Sequence, residues 1–245
     1  MALSRCCIWL LLAMLLSAPA HARKLVLAAT DYPPYYSESL DRGGPVVEVT
    51  ATALRNAGYE VEVRFMPWAR ALRLGEQGKV DGLVGVWRSP ERELAFLYSD
   101  PVVSNRIVLC RLGDHGPARF NGFDSLRPYT VGVVSGYADP PELALAGVHT
   151  EPVVEDLQNL RKLVAGRIDL ALIDSRVAKH LIEHDLDARG QAINCLEPAV
   201  QRHPQYLVIS RRVADAPRII AAFNEKLRVW RRTKEYRELA QRSGW

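Results

Sequence analysis

Residues 180–184 read H-x-x-E-H, which on a helix sets His180 and His184 one turn apart with Glu183 between them, the arrangement zinc hydrolases use. Zinc chemistry also needs a further protein ligand and a pocket. Here Val177, Leu181 and Ile182 form the apolar stripe and both histidines fall toward its polar side, so the segment reads as a solvated helix face. No metal and no cofactor is expected. G-x-S-x-G, the P-loop and C-x-x-C are missing from the sequence, which leaves nucleophilic, nucleotide-driven and dithiol redox chemistry without support. Arg228, Arg231 and Arg232 are interleaved with Glu225, Glu235 and Glu238, and the formal net charge is only +4. Such a balance does not argue for nucleic acid as a partner.

The elements that must position any site begin after an exportable start. The first 22 residues carry Arg5, an apolar run from Cys6 to Leu16, and small residues ending in Ala20-His21-Ala22. That is the pattern of a secretory signal peptide cut after Ala22, because the apolar run is too short to span a bilayer. Cleavage removes Cys6 and Cys7 and leaves Cys110 and Cys195, either one disulfide or two buried thiols.

The mature chain, 48% hydrophobic over the whole sequence, is long enough for one large domain or two small lobes. "KLVLAAT" is a β-prone run that ends in the turn-rich "DYPPYY". A helix over "GPVVEVTATALRNAG", a strand "EVEVRF", a helix from about Pro67 to Gly78 and a strand "VDGLVGV" follow, giving β-α-β-α-β. The same order recurs in "YTVGVVSG", "DPPELALAG", "HTEPVV", "DLQNLRKLVAG" and "IDLALID". "GKVDGLVGV" and "GRIDLALID" even align residue for residue at Gly78/Gly166 and Asp81/Asp169. After them come a strand-like "HPQYLVISRR" and one or two amphipathic helices over "APRIIAAFNEKLRVWRRTKEYRELAQRSG", which need a core to join. The simplest arrangement is an α/β protein of two lobes, residues 23–108 with 198–245 and residues 109–197, joined by crossings near 107–111 and 194–198. Cys110 and Cys195 then sit on adjacent crossings, a specific reason for them to pair.

"TDYPPYY", "GKVDG", "SPERELAFLYSDPVV", "VGVVSGY" and "GRIDLALID" together resemble the extracellular solute-binding proteins of family 3, the amino-acid-binding components of ABC transporters, over essentially the whole mature chain. "SPER" followed by "YSDP" is the most specific of these. The resemblance implies a type II periplasmic binding protein, each lobe a β-sheet flanked by helices, that closes on a small solute. An amino acid presents a carboxylate and an ammonium on one carbon, so its site needs a fixed cation and a fixed anion, and the planar fork of arginine suits the carboxylate. By resemblance Arg92 is that cation and Asp174 the acid that takes the ammonium; Asp174 also fits the N-cap of a helix over "SRVAKHLIEH". Tyr32 and Tyr35 match ligand-packing aromatics, Trp68 is a further candidate wall beside Arg70, and Gly136 opens the second lobe's contribution. The chain departs from the family where small Ser/Thr residues are usual: Trp87 and Arg88 precede the Arg motif, and Tyr137 follows Gly136. The expectation is a monomeric periplasmic binding protein for an amino acid or related carboxylate, serving an ABC permease. Two alternatives share the fold: a periplasmic dehydratase, for which Asp31 and Glu38 are the nearby acid–base candidates, and a sensory binding protein without transport.

Overall fold

The computed structural model describes residues 22–245; the signal-peptide expectation falls on residues 1–21, outside them, apart from its last residue. Strands β1 (Lys24–Ala29), β2 (Glu60–Phe65) and β3 (Gly82–Trp87) are parallel in the order β2-β1-β3, with helices α1 (Pro45–Asn56) and α2 (Trp68–Glu76) as their crossovers. The second copy is built alike. Strands β6 (Thr130–Val134), β7 (His149–Val153) and β8 (Leu170–Asp174) are parallel in the order β7-β6-β8, with α4 (Pro141–Leu145) and α5 (Asp156–Val164) between them. A short α3 (Pro90–Ala95) follows β3, and α6 (Ser175–Asp185) follows β8.

The repeated Gly-x-x-Asp has one physical job in both copies. Gly78 and Gly166 end α2 and α5 with φ of 69° and 65°, the left-handed conformation that glycine adopts without penalty. Three residues on, the Asp81 carboxylate accepts the Val26 N–H at 2.8 Å and the Asp169 carboxylate accepts the Thr130 N–H at 2.7 Å. The Asp81 N–H in turn donates to Val26 O and the Asp169 N–H to Thr130 O. Each acid therefore ties the start of its lobe's third strand to its first.

Two long antiparallel strands join the lobes. β5 (Val103–Leu112) pairs with β10 (Gln201–Ser210) over its first half and with β8 over its second, and Ile107 is where it changes partner, opposite both Gln201 and Asp174. β10 continues beside β3, and the short β4 (Phe96–Tyr98) pairs with its far end. β9 (Ile193–Cys195) lies against the end of β5, and Cys110 is disulfide-bonded to Cys195 there. The tail forms two helices, α7 (Ala216–Trp230) and α8 (Lys234–Arg242), because the Thr233 side chain caps the second by accepting the Tyr236 N–H. α7 buries Ile219, Phe223 and Leu227 in the first lobe beside Val46, Val49 and Leu54 of α1. No described helix is long and apolar enough to cross a membrane.

The carboxyl ends of β1, β3, β6, β7 and β8 all open toward the space between the lobes, where open α/β sheets place their ligands. Sequence patterning legible as alternating strands and helices thus delivers five loops to one cleft.

Candidate functional site

Each of those loops brings one or two functional side chains. After β1, Tyr32 and Tyr36 pair across a tight loop through reciprocal backbone hydrogen bonds, which leaves their rings 5.6 Å apart at the cleft floor. Gly85 on β3 comes close to Tyr36 with φ of 76°; a Cβ there would lie 2.4 Å from the Tyr36 hydroxyl oxygen. After β3, Trp87 is buried, its Nε1 donating 2.6 Å to Asn105 Oδ1, and Ser89 caps the helix that carries Arg92.

Arg92 is 6% exposed and makes no ion pair among the described residues. Its Nη1 donates 2.7 Å to Trp87 O of its own lobe, its Nη2 donates 2.7 Å to Gly136 O of the other, and its guanidinium lies over the Trp68 ring at 5.2 Å. Trp68 Nε1 donates 2.7 Å to the same Gly136 carbonyl. Gly136, with φ of 79°, turns that carbonyl toward the first lobe. Burial pushes the Arg92 guanidinium below its ordinary value, against the pull of Tyr98 and Asp139.

Tyr137 crosses the cleft. Its ring meets Trp87 at 5.2 Å, Tyr32 at 6.2 Å and Trp68 at 6.4 Å, all edge-on, the arrangement aromatic quadrupoles favour. His203 stacks on the other face of Trp87 at 4.9 Å, and burial holds it below its ordinary range. The Trp87–Tyr137 pair divides the cleft. On one side a cavity with about 20 Å³ for water-sized atoms is lined by Tyr32, Tyr36, Trp68 and Arg92; on the other, about 10 Å³ is lined by Asp139, Gln201 and Asp174. Each holds about one water. The two residues flagged as departures from the family are therefore the ones that fill the space. An outer groove of about 840 Å³ runs past Arg88, Arg92, Asp139 and His203.

Asp174 lies at the carboxyl end of β8, fully buried, and its oxygens are already taken. Oδ1 accepts the N–H groups of Arg176 and Val177, so the residue is the N-cap of α6. Oδ2 accepts from Tyr35 Oη, Asn105 Nδ2 and the Arg106 N–H. A carboxylate has roughly four lone-pair directions, and five donors use them. The expectation that it takes a ligand ammonium is accordingly revised: its contacts are all internal. Tyr35 serves Asp174 with its hydroxyl, and Tyr36 stands in the cavity wall instead. Asn105 and Gln205, both fully buried, complete this network across the joining strands, Gln205 Nε2 donating 2.6 Å to Asn105 Oδ1. Nothing in the sequence marks them, since each is a lone polar residue inside a strand. Arg88 is exposed, paired with Glu93 and over the Tyr98 ring at 5.3 Å. Asp31 is bound to the Ser37 hydroxyl and the Glu38 N–H, and Glu38 is exposed.

The sequence reading also passed over Asp156, 6% exposed at the start of α5, whose Oδ2 accepts from Tyr137 Oη at 3.0 Å. Burial pushes its carboxyl up to about 7. His180 and His184 stack at 4.3 Å on α6, and among the described residues no group of three or more His, Cys, Asp or Glu side chains is placed to hold a metal ion.

Residues 25–244 match the family described as bacterial extracellular solute-binding proteins, family 3. The chain is 26% identical over 178 residues to the arginine-binding extracellular protein ArtP of Bacillus subtilis, covering 70% of this chain and 69% of that one. Its fold is similar to that of a histidine kinase sensor domain resembling periplasmic binding proteins, with a TM-score of 0.79 at 23% identity over 92% of this chain and 96% of the other. It is also similar to the arginine-binding protein of T. maritima, with a TM-score of 0.74 at 18% identity over 89% and 94%.

Proposed function

We propose, from the premise that this chain belongs to the bacterial extracellular solute-binding proteins of family 3, that it captures a small carboxylate-bearing solute, an amino acid or a close relative, by closing its lobes, and delivers it to an ABC-type permease. The observation that carries this reading is Arg92, a buried guanidinium held only by two carbonyls. A buried cation without an anion is costly, and a carboxylate arriving as the lobes part and reclose replaces neutral acceptors with two charge-assisted bonds. Tyr32, Trp68, Trp87 and Tyr137 are the walls, and Gly136 supplies the carbonyl that the solute displaces. Tyr35 and Asp174 act from behind, bracing α6 and the joining strand. The lobes, residues 23–108 with 198–245 and 109–197, move about crossings near 107–111 and 194–198. The protein is a monomer exported to the periplasm through its N-terminal segment, where the Cys110–Cys195 bond persists. Binding ends without turnover, because Asp31 is committed to its own loop and Glu38 faces solvent.

Calorimetry of the mature chain against the twenty L-amino acids tests this. Arg92→Ala is expected to weaken the tightest binder about a hundredfold or more, two hydrogen bonds to a charged group being worth roughly 1.5–3 kcal/mol each. An unchanged affinity removes Arg92 from the site. A second reading, sensing without transport, draws on the TM-score to the sensor domain, 0.79 against 0.74 for the T. maritima protein. Loss of labelled-solute uptake on deleting the gene favours transport; intact uptake favours sensing.

A further inference from the structure

Asp174 has no acceptor capacity to spare, so a zwitterion held by Arg92 lacks an anion at the matched position. The molecule holds another. Asp156 is buried, accepts a single hydrogen bond from the Tyr137 hydroxyl, and receives nothing on Oδ1 among the described residues. The charges that bear on it are all acids, Asp174, Asp139 and Glu155. Across the lobe boundary it acts electrostatically on Tyr32 and Tyr36, which places it on the cleft. Tyr32 adds an independent sign: 2% exposed, its hydroxyl has no hydrogen-bond partner, and the acids bearing on it are Asp174 and Asp156. The start of a helix accounts for an acid in its first turn, but the exposed Glu155 would serve as well; it does not account for one buried among phenols.

A buried Arg92 without an acid and a buried Asp156 without a base, on loops of opposite lobes, are complementary to one solute carrying both charges. We propose that Asp156 receives the positively charged nitrogen of the solute, with the free Tyr32 hydroxyl as its second acceptor and the Tyr137 hydroxyl as the place-holder that the solute's N–H replaces. The proposal rests on the reading of this cleft as a solute site. It deepens that reading by requiring a cationic nitrogen, an ammonium or a guanidinium, in addition to the carboxylate. When the lobes part, the Tyr137 ring leaves Tyr32, Trp68 and Trp87, while Asp156 stays with it on the second lobe, so the acid meets the solute as the cleft refills.

The experiment uses the mature chain and calorimetry with the twenty L-amino acids. Each that binds is paired with its 2-hydroxy acid, which lacks the α-ammonium, and arginine and lysine also with citrulline and norleucine, which lack the side-chain charge. The native protein is expected to prefer the charged member of one pair by at least about thirtyfold. In Asp156→Asn that preference should fall to within about threefold, and Asp156→Glu should restore part of it. Equal weakening of both members in Asp156→Asn, or an unchanged preference, overturns the assignment while leaving the solute site standing. If Asp156→Asn does not fold, Tyr32→Phe decides: it should reduce the same preference severalfold, and an unaltered preference counts against the proposal. Failure of every amino acid and hydroxy acid to bind the native protein overturns the underlying reading and this one with it.

Discussion

Replacing Asp156 by asparagine should make the protein more stable at neutral pH, and the size of the gain follows from its surroundings. The neighbouring groups that bear on it, Tyr137, Asp174, Asp139 and Glu155, include no cation, and Tyr32 and Tyr36 of the facing lobe bring phenols rather than charge. Burial raises its carboxyl from an ordinary 3.8 to about 7. A raised carboxyl value means the folded state holds the proton more tightly than the unfolded state. The contribution to stability is therefore intact below about pH 4 and is lost as pH rises toward 7. At roughly 1.4 kcal/mol per pH unit the loss is about 4 kcal/mol at pH 8. Asparagine keeps an oxygen for the Tyr137 hydroxyl and removes the charge, so Asp156→Asn should regain about 2–4 kcal/mol at pH 8 and nothing at pH 4, a rise in midpoint of roughly 5–15 °C at the higher pH. Urea titrations followed by tryptophan fluorescence at pH 4, 5.5 and 8, on the oxidised protein, measure it. Taking the difference between variant and native chain cancels the other acid pushed upward by burial, Asp139 at about 6. A variant less stable than the native chain at pH 8 would refute the reasoning, because it would show that the ionised carboxylate has a partner.

Asp174→Ala should cost about 3–5 kcal/mol in urea midpoint analysis, since it removes the α6 cap and strands five donors; a change below about 1 kcal/mol would remove it as the anchor of the joining strand. The Cys110–Cys195 bond closes a loop with a sequence separation of 85, so reduction or the double serine variant should lower stability by about 3–4 kcal/mol, read by denaturation with and without dithiothreitol. Tyr137→Ala should merge the two small cavities on either side of its ring and lower the thermal midpoint through lost aromatic packing worth about 3–5 kcal/mol, while calorimetry finds bulkier solutes admitted. An unchanged solute range would show that Tyr137 does not divide the cleft.

By itself the sequence determined the elements and the two-lobed plan. Period-2 runs separated by helical patterns set β1 to β3 and β6 to β8, and the Gly-x-x-Asp repeat carried its own reason, because turn geometry and a side chain reaching a nearby backbone N–H are local matters. Arg92 was legible for the same cause: it belongs to a short motif on a capped helix that always follows its strand. Only the tertiary structure decided how the cleft's charges are spent. Whether Asp174 is free depends on Tyr35, Asn105 and the Arg106 N–H, residues 139, 69 and 68 positions away that the folded lobes bring to it. Whether Asp156 lacks a partner depends on what surrounds it in three dimensions, which no spacing encodes. Trp87 and Tyr137 could be seen as unusual in the chain, yet that they meet and split the cavity required both lobes to be in place. Hydrogen-bond capacity and uncompensated charge are sums over all neighbours, and neighbours distant in the chain are fixed only when the fold closes.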